Sequence, residues 1–192
     1  MMCNDVQTVG ALGAVNRGFD SVVMPAFDQA LQDSECTFCG QCVAVCPVGA
    51  LTELDHTNRL INDLANPDKT VIVQTAPAVR AALGEEFALP AGTSVTGKMV
   101  AALRKLGFAK VFDTDFAADL TIMEEGTELL GRLTAFLNGD KDVKLPIITS
   151  CCPGWVNFFE KQFPDLLDNP SSARSPQQMF GAIAKPYWAE KM

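Results

Sequence analysis

Four cysteines between residues 36 and 46 have the spacing that most clearly indicates chemistry in this sequence. The run reads C-x2-C-x2-C-x3-C-P, ends at Pro47, and places its thiols at Cys36, Cys39, Cys42 and Cys46. Thiolates at this spacing wrap around one iron–sulfur cubane, and Gly40 gives the backbone room to turn between them. The run therefore predicts a 4Fe-4S cluster whose ligands include Cys36, Cys39 and Cys42.

A structural zinc ion is the alternative occupant of closely spaced cysteines. Zinc usually binds two C-x2-C pairs that are separated by about a dozen residues or more. This run instead places three cysteines within seven residues, from Cys36 to Cys42, and a proline directly after the fourth cysteine. The spacing favours iron and sulfide over zinc.

The fourth cysteine of such a run ligates a neighbouring cluster in the bacterial ferredoxins that it resembles. Cys46 is therefore predicted to bind a second cluster. Cys3 is the only other cysteine before residue 151, and it is predicted to complete the first cluster. Because the cysteine run that would precede Cys3 is missing, we expect the chain to begin inside a two-cluster module.

Composition and charge restrict the class of protein. The 192 residues are 48% apolar, which is typical of a globular chain with one domain and a small module. The net charge of −8 argues against nucleic acid as a partner, because phosphate binding requires a cationic surface. No apolar run reaches the roughly 18 residues of a membrane span, and no signal peptide pattern is visible. Together with seven cysteines in cluster-type spacing, these features predict a cytoplasmic protein in a reducing compartment.

A turn-forming segment at 66–69 predicts the domain boundary, with a ferredoxin-like 4Fe-4S module at 1–66 and a larger domain at 67–192. In the larger domain, the apolar pattern predicts strands at 70–74, 109–112 and 145–149 and helices at 78–87, 95–106 and 115–137. This alternation indicates an α/β domain, within an α+β chain, that has a largely parallel sheet flanked by helices. Chemistry in such sheets lies at the carboxyl ends of the strands.

The segment at 48–65 carries apolar residues at helical intervals and contains the single histidine, His56. A histidine can ligate metal, but in this polar stretch we expect His56 to be a surface residue.

Two adjacent cysteines, Cys151 and Cys152, follow the third predicted strand and precede a helix that begins at Pro153. A thiolate at a helix N-terminus is stabilised by free N–H groups and by the helix dipole. One thiol can then hold metal while the other, pointing elsewhere, carries protons. The alternative is a pair of buried thiols that act as small apolar residues. A disulfide between adjacent residues is disfavoured by ring strain and by the reducing compartment.

Residues 149–155, TSCCPGW, resemble the first signature of the iron-only (FeFe) hydrogenases. The similarity extends in order through the cysteine run with PVGALTE, then QTAPAVRAALGEEF, VTGKMVAALRKLGFAKVFDTDFAADLTIMEE and SSARSPQQMFGAIAK. The resemblance implies reversible conversion of protons and electrons into H2 at an H-cluster, a 4Fe-4S cubane joined to a two-iron unit and fed by 4Fe-4S clusters. It also implies a ferredoxin or a nicotinamide-linked redox partner, and maturation proteins.

The resemblance implies roles for the residues that match the family's motifs. Cys152 matches the first cysteine ligand of the H-cluster cubane, and Cys151 matches the thiol that passes protons to the two-iron unit. The implied proton path continues through Glu125, Glu128, Ser171 and Arg132. The implied contacts of the two-iron unit come from Ala76, Pro77, Ala78, Ser175, Pro176 and Gln177.

The sequence pattern alone is consistent with these implied roles but supports them less strongly than the resemblance does. In the predicted helix 115–137, a buried apolar stripe is expected from Ile122, Leu129, Leu133 and Phe136. Charged residues adjoin that stripe at Glu125, Glu128 and Arg132, and such charges usually form a solvated face. The segment at 175–178 is also a capping box with proline at the first helical position.

The family's H-cluster takes three further cysteines from later segments, whereas no cysteine follows Cys152 here. We therefore expect a fragment of an FeFe hydrogenase with an incomplete catalytic domain, which does not assemble an active H-cluster by itself. The alternatives are a non-catalytic hydrogenase-like protein of cluster assembly and a stand-alone electron carrier. The intact TSCCPGW, MEE and TEL segments favour the enzyme over the assembly protein, and an electron carrier leaves the larger domain unexplained.

Overall fold

The computed structural model describes residues 2–191. These residues form two compact units. The first unit comprises residues 2–54 and 144–171, so the segment with the adjacent cysteines belongs to the same unit as the N-terminal cysteine run. The second unit comprises residues 55–143 and 172–191. The domain boundary expected near residue 66 stays a prediction.

The first unit is built from short elements. It contains one α-helix longer than a single turn, α6 (Pro153–Gln162), and a short helix α1 (Gln41–Ala44) within the cysteine run. Strands β1 (Gly13–Val15) and β2 (Val22–Met24) form an antiparallel pair. A π-helical turn covers Met2–Val6, and 3-10 turns cover Gly18–Asp20, Ala26–Asp28, Leu31–Asp33 and Pro164–Leu166.

The second unit has longer helices around a parallel strand pair. Its helices are α2 (Thr57–Ala65), α3 (Pro77–Ala82), α4 (Thr96–Lys105), α5 (Thr114–Leu137) and α7 (Pro176–Ile183), with a 3-10 turn at Glu85–Phe87 and a π-helical turn at Ala184–Trp188. Strand β3 (Ile72–Thr75) runs parallel to β4 (Lys110–Asp113). Their register pairs Ile72 with Lys110 and Thr75 with Asp113. The α/β prediction is confirmed, with the parallel strands at 70–74 and 109–112 displaced by one or two residues.

Small side chains bring α5 and α7 together in the core of the second unit. Ala117 of α5 is fully buried, and Phe180 of α7 is buried beside it. The Phe112 ring lies 5.1 Å from the Phe180 ring and 5.4 Å from the Trp188 ring, measured between centroids. This aromatic cluster attaches β4 to α7, and so fixes the start of α7 near the ends of the two strands.

Polar caps explain where α5 and α7 begin. The Asp113 side chain accepts a hydrogen bond from the Asp115 N–H at 3.0 Å, and Ser175 Oγ accepts one from the Gln178 N–H at 3.3 Å. These bonds satisfy N–H groups that have no partner within the helix. The capping prediction for Ser175, with Pro176 at the first helical position, is confirmed.

The predicted strand at 145–149 is wrong. The structure has a single parallel bridge here, between Ile148 and Pro170. The Ile148 N–H donates to the Asn169 carbonyl at 3.2 Å, and the Ser171 N–H donates to the Ile148 carbonyl at 2.7 Å. Pro146 has no N–H to donate, so the ladder cannot extend from Ile148 back to residue 146.

The predicted buried stripe of α5 is also wrong. Ile122 is 67% exposed, Phe136 is 53% exposed, and Leu129 and Leu133 are each 40% exposed. The helix instead buries Ala117 and Thr121, and Thr121 Oγ1 lies 3.1 Å from the Met179 sulfur of α7. Because α5 carries apolar residues on more than one side, periodicity alone did not identify the side that packs on α7.

The helix expected within 48–65 occupies only its second half, as α2. Asp55 Oδ1 accepts a hydrogen bond from the Thr57 N–H at 2.8 Å, which stabilises a start at that point. His56 is exposed, as predicted. Among the described residues, no helix combines the length and the apolar character that crossing a membrane requires.

Candidate functional site

The N-terminal cysteine run surrounds a cavity of about 390 Å³ in the first unit. Gly40 has a φ of 74°, in the left-handed region, which lets the chain turn between two of the cysteines. The Phe38 N–H points at Cys36 Sγ from 3.4 Å. The thiols in the wall of the cavity belong to Cys3, Cys36, Cys39 and Cys42. The structure thus brings the four predicted ligands of the first cluster to one cavity.

These residues fit a 4Fe-4S cluster. All the thiols are free, and a cubane needs four of them at its separate corners rather than at one point. Within residues 2–191, no group of three or more His, Cys, Asp or Glu side chains is arranged to hold a metal ion directly. The four thiols instead border a shared cavity larger than one ion.

Cys46 does not line this cavity, and its predicted assignment to another cluster stays a prediction. It lines a second cavity of about 590 Å³ together with Cys3 and Cys42. Cys46 Sγ accepts a hydrogen bond from the Ala50 N–H at 3.3 Å. Backbone N–H groups of Leu51 and Val48 lower the pKa of this thiol, because they stabilise the thiolate. A thiolate is the form that binds iron.

Cys151 and Cys152 precede α6, and both are exposed. Their exposure contradicts the alternative of two buried thiols. Cys152 is the capping residue of α6, its carbonyl accepts from the Val156 N–H at 2.9 Å, and Pro153 occupies the first turn. The helix that was predicted to begin at Pro153 is confirmed.

Helix α6 packs directly on the N-terminal cysteine loop. A Cβ atom at Gly154 would lie 3.3 Å from the Thr37 carbonyl oxygen and 3.8 Å from the Cys39 Cα, so glycine permits this close approach. At the other end of the helix, Lys161 Nζ donates to the carbonyl oxygens of Ser34 and Cys36. Helix α6, which directly follows the adjacent cysteines, therefore contacts the loop that carries Cys36 and Cys39 at both of its ends.

The carboxyl end of β3 leads into the first group of predicted pocket residues of the second unit. Ala76 caps α3, Pro77 is its first residue, and both are exposed together with Ala78. Gln74 Nε2 donates to the Gln177 carbonyl at 3.4 Å. Gln74 thus links the strand that leads into Ala76–Ala78 with the start of α7, where Ser175, Pro176 and Gln177 lie.

A branched ion pair fixes α3 against the start of α5. Arg80 Nη2 lies 2.6 Å from Asp113 Oδ1, and Arg80 Nη1 lies 3.1 Å from Asp115 Oδ2. The Arg80 side chain is 17% exposed. The guanidinium lowers the pKa of Asp113, and Asp113 in turn raises the pKa of Arg80. This pairing holds two neighbouring strand-to-helix junctions together.

The predicted relay residues of α5, which are Glu125, Glu128 and Arg132, are half-buried. Glu128 Oε1 accepts from Arg132 Nη2 at 2.6 Å, and Glu128 Oε2 accepts from the Ser172 N–H at 3.1 Å and from Ser172 Oγ at 3.2 Å. Glu125 lies half-buried one turn earlier. The predicted relay residues Glu128 and Arg132 are therefore in direct contact, and their partial burial speaks against the alternative of a fully solvated face.

Ser171 belongs to the first unit, where it is buried. Its N–H donates to the Ile148 carbonyl, and its carbonyl accepts from Ser150 Oγ at 3.0 Å. These bonds fix the backbone at Ser171 immediately before the residue that contacts Glu128.

A cavity of about 520 Å³ opens beside Glu128 in the second unit. Its wall includes polar groups from Glu124, Ser172 and Arg174, and apolar ones from both helices α5 and α7. A carboxylate beside such a cavity can exchange protons with a neighbouring group.

Sequence reasoning missed three residues of this arrangement: Gln74, Arg80 and Ser172. Ser172 follows the predicted Ser171 in the SSARSPQQ segment, and Gln74 is the polar residue at the end of the TVIVQ run, so both had a positional signal. Arg80 gave no such signal, because its partners Asp113 and Asp115 lie more than thirty residues away.

Two family models match the chain. Residues 69–192 match the iron only hydrogenase large subunit, C-terminal domain, and residues 32–52 match the 4Fe-4S binding domain. The second match covers the four clustered cysteines.

Individual relatives agree with the family models. The chain is 70% identical to the NADP-reducing hydrogenase subunit HndD of Solidesulfovibrio fructosivorans, over 98% of this chain and 32% of that protein. It is 34% identical to the cytosolic iron-sulfur assembly component 3 of Bos taurus, over 82% of this chain and 34% of that protein. The solved apo [FeFe]-hydrogenase HydA1 from Chlamydomonas reinhardtii is similar with a TM-score of 0.66 at 49% identity, over 72% of this chain and 34% of that one.

The chain spans about a third of the length of the relatives that it matches. The hydrogenase model nevertheless covers well over half of the chain itself. The chain belongs to the iron-only hydrogenase large subunit family, and it carries an iron–sulfur binding segment in front of the hydrogenase domain.

Proposed function

We propose that this chain supplies the first part of the catalytic apparatus of an FeFe hydrogenase, which interconverts 2 H⁺ and 2 e⁻ with H2. The observation that carries the proposal is the packing of α6, which directly follows Cys151 and Cys152, on the loop of Cys36 and Cys39. An electron-transfer enzyme requires its electron entry site and its catalytic site to be held at a fixed separation. When bound, the H-cluster supplies the iron centre at which protons and electrons combine.

The electron side of the proposal uses the N-terminal cysteines. Cys3, Cys36, Cys39 and Cys42 hold one 4Fe-4S cluster, and Cys46 belongs to a second one. The contacts of α6 at Gly154 and Lys161 then keep Cys152, the proposed ligand of the H-cluster cubane, at a constant position relative to the first cluster.

The proton side uses Cys151 and the polar groups on α5. Ser172 Oγ lies within hydrogen-bond reach of Glu128, and a hydroxyl beside a carboxylate can accept and donate protons in turn. Arg132 keeps the Glu128 carboxylate in place, and a cavity lies beside it. We assign Glu125, Glu128, Ser171 and Arg132 to the relay, with Ser172 as an additional contact.

The pocket for the two-iron unit is assigned to two backbone turns. Ala76, Pro77 and Ala78 form the first turn, and Ser175, Pro176 and Gln177 form the second. The hydrogen bond from Gln74 to the Gln177 carbonyl supports this pairing of turns. Both turns begin helices, where free N–H groups can donate to anionic ligands.

A nicotinamide-linked redox partner is favoured over ferredoxin. The support is the name of the relative at 70% identity, an NADP-reducing hydrogenase subunit. Maturation proteins would be required to insert the two-iron unit.

The test is Cys151→Ala in the complete enzyme. A thiol that passes protons is needed for turnover but not for binding iron, so hydrogen production should be lost. Infrared bands of the bound CO and cyanide ligands should remain in this variant, because Cys151 is not proposed to hold iron. Hydrogen production that survives in Cys151→Ala would remove Cys151 from the proton path.

A second candidate function is non-catalytic iron–sulfur cluster assembly. It is favoured by the 34% identity to an assembly component that covers 82% of this chain. The same experiment separates the two functions, because an assembly protein would show neither hydrogen production nor the infrared bands in its unmodified form.

A further inference from the structure

The first unit contains more acidic than basic residues. Residues 2–54 and 144–171 contain nine Asp and Glu residues but only three basic ones, which are Arg17, Lys144 and Lys161. Two of the acids, Asp33 and Glu35, lie within three residues of Cys36. An acidic environment disfavours the addition of an electron to an anionic cluster.

Lys161 is a cation fixed at the backbone of the cysteine loop. Its Nζ donates to the Cys36 carbonyl at 3.2 Å and also to the Ser34 carbonyl, between the two acidic residues. Both acceptors are backbone carbonyl oxygens. A carbonyl group is neutral, so these bonds do not cancel the positive charge of the ammonium group. The same residue, Cys36, receives the Phe38 N–H at its sulfur.

The position of Lys161 is fixed because α6 is fixed. Gly154 brings the first turn of the helix against Thr37 and Cys39. The rings of Trp155 and Phe159 stack at 4.9 Å between centroids, and the Phe159 ring lies 5.6 Å from that of Phe163. A rigid helix with contacts at both ends holds the ammonium group near the loop.

We propose that Lys161 raises the reduction potential of the 4Fe-4S cluster held by the Cys36 loop. This inference rests on the proposed function, because it requires that Cys36, Cys39 and Cys42 hold a cluster. Reduction adds one electron from the redox partner and makes the cluster more negative. A fixed positive charge stabilises that reduced form more than the oxidised form. Lys161 thereby favours electron entry into an otherwise acidic unit.

The experiment compares variants of the chain after anaerobic reconstitution with iron and sulfide. Lys161→Gln removes the charge, Lys161→Arg keeps it, and Arg17→Gln removes a charge from a residue of the same unit that lies outside the cysteine run. The midpoint potential of the cluster is measured by titration with dithionite, followed by the electron paramagnetic resonance signal of the reduced cluster.

We expect Lys161→Gln to shift the midpoint to more negative potential, Lys161→Arg to leave it in place, and Arg17→Gln to shift it less than Lys161→Gln. Equal midpoints in Lys161→Gln and the unmodified chain would overturn the proposal. Loss of the cluster in Lys161→Gln but not in Lys161→Arg would also overturn it, since Lys161 would then hold the loop rather than tune the cluster. An unmodified chain that takes up no cluster would refute the proposed function instead.

Discussion

The cysteine loop of the first unit and the charged side of α5 in the second position their chemical groups by different means. The loop takes three of its cysteines from seven consecutive residues, and the backbone at Gly40 sets its turn. On α5, Glu128 is held by Arg132 one turn away and by Ser172, which comes from a segment 44 residues later in the chain. Three of the four proposed cluster ligands are therefore close in sequence, whereas the proposed relay joins residues that are distant in sequence.

This difference predicts how each region tolerates substitution. Cysteine ligands tolerate no change of chemistry but depend little on the surrounding packing. The proposed relay residues depend on packing. A variant that weakens the packing of α5 or α7 should therefore displace these residues even when no charged group is changed.

Glu128→Gln in the complete enzyme should have the largest effect of the α5 and α7 variants. It keeps the shape of the side chain but removes the carboxylate that accepts from Arg132 and Ser172, and so interrupts the proposed relay. We expect hydrogen production to fall by about 10²-fold or more, which is typical for loss of a positioned proton-transfer group. Asp119→Asn, on an exposed position of the same helix, is the matched control and should keep its activity. Equal activities of the two variants would remove Glu128 from the relay.

Ser175→Ala tests whether the start of α7 is fixed by its cap. The substitution removes the acceptor of the Gln178 N–H and should lower the free energy of unfolding by about 1 kcal/mol. Ser175→Asp, which retains a capping oxygen, should recover most of that loss. Urea unfolding of the chain measures both variants, and equal stabilities for alanine and aspartate would contradict a capping role.

Asp113→Asn tests the ion pair with Arg80 separately from capping, because asparagine caps helices as well as aspartate. The Asp113 side chain is 42% exposed, so we expect a loss of about 1 kcal/mol or less. The folded pKa of Asp113 is lowered, so its contribution is present above the unfolded pKa and is lost as pH falls through the folded value.

The stability difference between Asp113→Asn and the unmodified chain should therefore be present at pH 7. It should decrease as the pH falls below about 4, because Asp113 then becomes protonated. Thermal unfolding across this pH range measures it, with Asp119→Asn as the exposed control. A difference that is the same at both pH values would show that charge is not its cause.

The sequence predicted the parts of the fold and the site that local chemistry determines. The cysteine spacing identified the residues that share a cavity, and the proline after Cys152 identified the start of α6. The cap at Ser175 and the parallel pair of β3 and β4 were also predicted.

The parts that depend on tertiary packing were not predicted. The side of α5 that packs on α7 is lined by small residues such as Ala117 and Thr121, whereas the hydrophobic pattern pointed to the larger side chains. The contact of Ser172 with Glu128 and the pairing of Arg80 with Asp113 each join distant segments. The close approach of α6 to Cys39 had a glycine as its sequence signal, but its partner was visible only in the structure.

The central claim is that the N-terminal cysteines hold an iron–sulfur cluster, and metal analysis of the chain tests it most directly. After anaerobic reconstitution, the unmodified chain should contain about four irons with matching sulfide, as one complete cubane requires. Cys39→Ser should lose most of that iron, and Cys151→Ser should keep it. A chain that binds no iron, or that binds zinc alone, would contradict the account.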